Sequence, residues 1–319
     1  MPTKVILDVD TGTDDAVALM TAALSPDIEL VGATTVNGNT GIEDTTENTL
    51  RVLDWIGMPD IPVFRGLDRP LVRPQPDLGM AARIHGNLLD LPPVSNGAEL
   101  QEQHAVDWLI QTYLASDGDI VLCPVGPLTN LAMAIQKEPR IVDAIPEIVM
   151  MGGAHHVGNL THSAEFNIWL DPDAARVVIN CGRPIRMVSL DATHRALLST
   201  EDARQLRDLG TPAGEAAARF VLQRIDGYGA TQPVVNRPGA APIHDALAVC
   251  AIIDPTILTT EFIPVDVEVN AELSIGRTVC DFRSHGDRPA NVHFAIDADE
   301  PRFIGMLLEI LGRTARSRT

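Results

Sequence analysis

Residues 4–19 read KVILDVDTGTDDAVAL. Lys4–Val9 is rich in β-formers and reads as a strand. An apolar periodic run from Asp14 through about Leu24 reads as a helix. Four residues, Asp10-Thr11-Gly12-Thr13, join them directly. The next strand, Ile28–Val36, follows at once. This is a strand–helix–strand unit, and such units assemble into parallel sheets.

Reading outward, the alternation continues. A helix is expected over Ile42–Ile56 and a short strand over Ile61–Phe64. Residues 65–100 form a long excursion rich in Pro, Gly and polar side chains. Then come helix His104–Ala115, strand Asp119–Val125, helix Leu128–Gln136 and strand Glu147–Met151. Helix Pro172–Asn180, strand Ile185–Leu190 and helices near Thr200–Leu209 and Ala213–Ile225 follow. A second excursion, Asp226–Pro242, leads into helix His244–Ile253. Strands Phe262–Val269, Arg277–Phe282 and Val292–Ala295 and a closing helix, Arg302–Leu311, complete the chain. The pattern implies an open α/β fold: a mostly parallel sheet with helices on both faces and a small antiparallel edge near the C-terminus. No composition break divides it, so residues 1–319 read as one domain.

Composition agrees. The chain has 319 residues, 45% apolar and 21% charged, which excludes a disordered, collagen-like or coiled-coil protein. Its formal charge is −19. So acidic a surface repels phosphate backbones and anionic lipid, which argues against nucleic-acid and membrane partners. Cys123, Cys181, Cys250 and Cys280 form no CxxC pair and read as small buried thiols. No signal-peptide pattern opens the chain, and no apolar stretch reaches the ~18 residues of a membrane span. A soluble cytoplasmic protein is expected.

In open α/β sheets, ligands bind outside the carboxyl ends of the strands, and the unusual residues collect there. Asp8, Asp10, Asp14 and Asp15 place four carboxylates in eight residues. Helix-dipole stabilisation explains Asp14 and Asp15. It does not explain Asp10 beside them, because crowded like charges raise one another's pKa unless a cation is present. An oxygen-liganded divalent ion accounts for the set. Val36-Asn37-Gly38-Asn39 ends the second strand, either as a plain turn or with Asn39 aimed at a polyhydroxy ligand. Val125-Gly126-Pro127 frees a backbone carbonyl before a helix that Pro127 starts. Asn159, Glu165 and Asn167 lie on one loop and suit sugar hydroxyls. Met151 is either core or pocket floor. His155, His156 and His162 read as solvated loop histidines. His244-Asp245 opens an almost wholly apolar helix, where Asp245 is a cap or a further metal carboxylate and His244 a proton donor near neutral pH.

These residues resemble a known family. DVDTGTDDAVAL at 8–19, VGPLTNLA at 125–132, GNLTHSAEFNIWLDPDAA at 158–175 and PIHDALAV at 242–249 look like the inosine-uridine-preferring nucleoside hydrolases. The likeness spans nearly the whole chain, in order and at matching spacing. It implies a Rossmann-like fold and a Ca²⁺-dependent enzyme that cleaves ribonucleosides, of inosine/uridine or pyrimidine type, to base and ribose. By that resemblance Asp10, Asp15 and Asp245 are carboxylate ligands, the Val125 carbonyl is a backbone ligand, and Asp10 activates the attacking water. Asp14, Asn39, Asn159, Glu165 and Asn167 hold the ribose hydroxyls, with Met151 beneath the sugar, and Phe166 is a further substrate-binding residue. His244 serves the leaving base, His85 lines its side, and Tyr228, in a flexible Gly227-Tyr228-Gly229, closes over it. A homodimer or homotetramer is implied as well.

Two rivals remain. A phosphatase of the haloacid dehalogenase type shares a superficial DxDxT loop, but position 12 is Gly and Lys137 alone would have to serve as its lysine. A degenerate riboside-binding sensor would be expected to have lost a ligand or the proton donor, yet Asp10, Asp15, Asp245 and His244 are all present.

Overall fold

The computed structural model describes residues 1–76, 84–231, 237–283 and 286–314. The strands, in chain order, are β1 (Thr3–Val9), β2 (Ile28–Thr35), β3 (Val63–Arg65), β4 (Leu100–Gln101), β5 (Ile120–Pro124), β6 (Ile148–Met151) and β7 (Ile185–Val188). They continue with β8 (Leu197–Ser199), β9 (Ala240–Pro242), β10 (Leu258–Ile263), β11 (Val265–Val267), β12 (Thr278–Cys280) and β13 (Val292–Ala298). Nine of them form one sheet in the order β10-β13-β7-β6-β5-β1-β2-β3-β4. All its pairings are parallel except β10 with β13.

Alternation along β1 sorts its side chains into two cores. Val5, Leu7 and Val9 join a cluster covered by helices Thr13–Leu24, Pro212–Thr231, His244–Ile253 and Glu300–Leu311. Ile6 faces the opposite cluster, covered by helices Ala105–Ala115, Thr129–Lys137 and Pro172–Ile179. From β1 the chain runs outward through β2, β3 and β4, then returns to lay β5 on the other side of β1. The order reverses there, so the carboxyl ends of β1 and β5 flank a switch-point crevice.

Two expectations are corrected. The run Phe262–Val269 is two strands, because Pro264 has no N–H to donate and the chain leaves the main sheet there to pair β11 with β12. The small antiparallel edge expected near the C-terminus is present: β10, at the end of the sheet, pairs antiparallel with β13, which itself pairs parallel with β7. The helix expected to stop at Ile225 runs on to Thr231. Each glycine costs a helix about 1 kcal/mol relative to Ala, but Arg224 and Tyr228, one turn apart, are both buried and anchor that stretch. Gly227-Tyr228-Gly229 is therefore helical.

Among the four cysteines, Cys123 and Cys250 are buried and Cys181 and Cys280 half-buried, all as free thiols. No helix among the described residues is long and apolar enough to cross a membrane.

Candidate active site

The turn after β1 is folded by its own acid. Asp15 Oδ1 accepts from Asp10 N–H at 3.1 Å and its Oδ2 from Gly12 N–H at 3.0 Å, which pins the start of helix Thr13–Leu24. The turn after β2 closes over it. Asn39 N–H donates to Asp10 Oδ2 at 2.7 Å, and Asn39 Nδ2 donates to Asp15 Oδ2 at 3.0 Å. The approach is so close that a Cβ on Gly38 would stand 2.0 Å from Asp10 Oδ2. Glycine is required at position 38 by space.

Carboxylate oxygens of Asp14, Asp15 and Asp245 all lie within 4.8 Å of one another. That trio differs from the expected set of Asp10, Asp15 and Asp245. Asp10 stands beside it, its carboxylate turned toward Gly38 and the Asn39 amide. Burial pushes Asp10 and Asp245 well above the ordinary carboxylate range, and the neighbouring charges of Asp15 on Asp10 and of Asp14 on Asp245 add to it. Burial, then the charge of Asp14, raises Asp15 to about 6. Among the described residues only Asp14 of these four has a cationic partner, Arg224 Nη1 at 2.7 Å, with His85 Nδ1 3.7 Å away. A buried cluster with this much surplus negative charge fits a divalent cation held by oxygen donors.

The β6 edge supplies the amides. Asn167 Nδ2 donates to the Val125 carbonyl at 2.6 Å and to the Met151 carbonyl at 3.3 Å. Glu165 caps the short helix Phe166–Leu170, accepting from the N–H groups of Asn167, Ile168 and Gly153. Burial nevertheless raises it to about 7. Asn159 Oδ1 accepts from Phe166 N–H at 2.8 Å. Met151 is both core and cavity wall: it is 2% exposed and belongs to the first cluster.

The far end of the cavity is built by helices. His244 is held at both ring nitrogens: Nδ1 shares a hydrogen bond with Thr193 Oγ1 at 2.7 Å and Nε2 with Tyr228 Oη at 2.6 Å. Burial, then the charge of Arg224, pushes its pKa well below the ordinary value. It differs here from the expected donor titrating near neutral pH. His85 accepts from Thr13 N–H at 3.1 Å through Nδ1, and burial lowers it to about 4. Both rings are neutral at pH 7. A Cβ on Gly12 would meet His85 Nδ1 at 2.2 Å, so the glycine lets that ring approach the turn.

One cavity of about 540 Å³, counting its open mouth, is lined by every residue expected at the site except Asp15, which lies behind its wall. Ile84, Leu160 and Arg224 complete the lining. His155, His156 and His162 lie outside it; His156 is exposed and pairs with Asp191. Sequence reasoning missed Arg224 and Thr193. Arg224 had a signal, since it falls on the buried stripe Ala213, Ala217, Phe220, Tyr228 of its helix. Thr193 had none: the expected strand ran through Leu190, where Ser189 in fact caps a one-turn helix, Leu190–Thr193.

A parallel sheet covered by helices, with an acid-rich cavity at its switch point, defines an α/β enzyme acting on a small polar molecule. The family model for inosine-uridine preferring nucleoside hydrolases matches residues 5–305. The chain belongs to that family and hydrolyses ribonucleosides to base and ribose. It is 40% identical over 318 residues to the inosine-uridine preferring nucleoside hydrolase of Crithidia fasciculata, covering 98% of each chain. It is also 40% identical over 314 residues to the pyrimidine-specific ribonucleoside hydrolase RihB of Escherichia coli O157:H7, covering 96% of each. Among solved structures, a purine-preferring ribonucleoside hydrolase from Gardnerella vaginalis superposes with a TM-score of 0.89. It is 36% identical, and the match covers 97% of this chain and 98% of that one.

Proposed function

We propose that the chain acts as a single catalytic domain, a Ca²⁺-dependent ribonucleoside hydrolase that works in the cytoplasm as a homodimer or homotetramer. Charge balance carries the metal reading: Asp10, Asp14, Asp15 and Asp245 are buried together against one guanidinium, that of Arg224. Asp10, Asp15, Asp245 and the Val125 carbonyl would hold the ion. With water and two sugar hydroxyls the set reaches about seven oxygens, a number Ca²⁺ accepts and Mg²⁺ does not. When bound, the ion lowers the pKa of the attacking water and anchors sugar hydroxyls.

The chain's own groups do the rest. Asp14, Asn39, Asn159, Glu165, Phe166 and Asn167 surround the ribose over Met151. Asp10 takes the proton of the attacking water. Breaking the C1′–N bond builds positive charge on the ring, as in glycoside hydrolysis, and the ring of carboxylates faces that charge. His244, held by Thr193 and Tyr228, serves the departing base, and His85 lines its side.

The named relatives act on different bases, so likeness does not choose one. His85 in the base-side wall favours an inosine/uridine or pyrimidine preference. The test is kcat/KM for uridine, cytidine, inosine and adenosine, with metal-free protein and with Ca²⁺ restored. Hydrolysis should vanish without the ion and return with it. In Asp10→Ala neither activity nor calorimetric Ca²⁺ binding should survive. Full activity in metal-free protein would rule the reading out.

A further inference from the structure

Arg224 stands in the cavity wall, and neither the ion nor the sugar accounts for it. The residue is 2% exposed. Nε donates to the Pro242 carbonyl at 2.9 Å, which fixes the guanidinium plane just ahead of His244. Nη1 donates to Asp14 Oδ1 at 2.7 Å and lies 3.4 Å from Thr13 Oγ1. The Tyr228 ring, one turn along the helix, lies 5.4 Å from the guanidinium carbon. Arginine carries five N–H donors in a rigid fork. Those on Nη2 have no partner among the described residues. Arg224 lines the cavity, and a donor left unpaired when a ligand fills that space costs free energy, so the arrangement calls for an acceptor on the ligand.

Its place says which one. Nη1 is committed to Asp14, at the sugar end; Tyr228 and His244 mark the base end. In hydrolysis the water oxygen bonds to C1′, the C1′–N bond breaks, and its electron pair leaves on the base nitrogen, which finally takes a proton from the water. The base end must receive that negative charge. We propose that Arg224 is a catalytic residue for base departure, its Nη2 donating to an acceptor atom of the nucleobase, a lactam oxygen or an unprotonated ring nitrogen. This rests on the placement of ribose at Asp14. No other arginine and no lysine lines the cavity among the described residues. The fork also explains why the residue is Arg and not Lys: a single ammonium does not hold Pro242, Asp14 and a base together.

The test compares Arg224→Gln and Arg224→Lys with the unmodified enzyme on inosine, uridine and p-nitrophenyl riboside. Nitrophenolate departs without help. For Arg224→Gln, kcat/KM on inosine and uridine should fall about 10²–10³-fold. The fall on p-nitrophenyl riboside should be at least about tenfold smaller. Arg224→Lys should lie between Gln and the unmodified enzyme on the nucleosides. Equal falls on all three substrates would mean that Arg224 acts through Asp14 on the sugar, and no fall on any would mean that it touches nothing that reacts; either overturns the proposal. If the variants do not fold, the unmodified enzyme decides. Its rates across ribosides should depend only weakly on leaving-group pKa, and a steep dependence, that of unassisted departure, overturns the proposal. The sugar placement is read separately, from Asp14→Asn on p-nitrophenyl riboside, so its failure is distinguishable.

Discussion

The two ends of the cavity are made differently. The sugar end is built from the turns after β1, β2, β5 and β6, where backbone N–H groups hold Asp10, Asp15 and Glu165 in place. It carries almost all the negative charge. The base end is built from helices Pro212–Thr231 and His244–Ile253 and holds one guanidinium, two neutral imidazoles and a phenol. Strand-edge turns fix carboxylates rigidly enough to hold a cation. Helix faces set a cation and neutral rings at the opposite end of the cavity. With the substrate placed as proposed, this division separates the charge of the sugar cation from the charge of the leaving base.

The sharpest way to break that comparison is to strip the sugar. A site built for a hydroxyl leaves its polar groups unpaired when the hydroxyl is missing, and such sites discriminate by about 10⁴-fold. Deoxyuridine should therefore be that much poorer than uridine in kcat/KM. Comparable values would mean that the acid-rich end does not grip the 2′-hydroxyl.

A smaller effect is expected at the other end. His244→Ala should lower kcat for uridine or inosine by about 10²–10⁴-fold, the range of proton-transfer help, with the lower part expected because the ring is held neutral. Calcium affinity should stay close to the unmodified value, and p-nitrophenyl riboside should be hydrolysed nearly as before. Equal losses on both substrates would move His244 to the sugar end.

The smallest effect is on stability. Burial lowers His194 to about 4 from an ordinary 6.5, and its Nε2 is enclosed without a partner. The folded state therefore binds fewer protons than the unfolded chain between those values. The stability tied to this ring is complete above pH 6.5 and is lost as pH falls toward 4. His194→Asn removes that dependence. Unfolding free energies of the two proteins should converge by on the order of 2 kcal/mol between pH 8 and 5. A constant gap would mean that the ring titrates alike in the folded and unfolded states.

Legibility followed the same division. The acid turn was readable because its signal is local: strand, four carboxylates and helix are contiguous, and Asp15 bonds back to Asp10 and Gly12 within five residues. Even there, the sequence did not show that Asp14 stands as close to Asp15 and Asp245 as it does, or that Asn39 closes over Asp10 from the turn after β2. At the base end His244-Asp245 stood out as polar residues opening an apolar helix. Tyr228 was found but set in a flexible loop, because two flanking glycines outweigh one aromatic in any local reading. Burial against residues far along the chain decided otherwise. Arg224 lies in register with the buried stripe of its helix, but its partners, Asp14 and Pro242, come from far along the chain and show what it does there.

The position of β1 has a consequence for how the protein is made. Of the strands in the main sheet β1 is synthesised before the others, yet it is central, and Lys4–Asp8 pair with residues 120–124. Asp14 meets its guanidinium from position 224. At ~5–20 residues per second, β1 waits on the order of ten seconds for β5 and about twice as long for Arg224. During that interval an apolar strand has an open edge, and its crowded aspartates have no arginine against them. Yield in the cell then depends on what shields the nascent chain, and a substitution that slows the arrival of β5 lowers the amount of enzyme without changing the activity of each molecule.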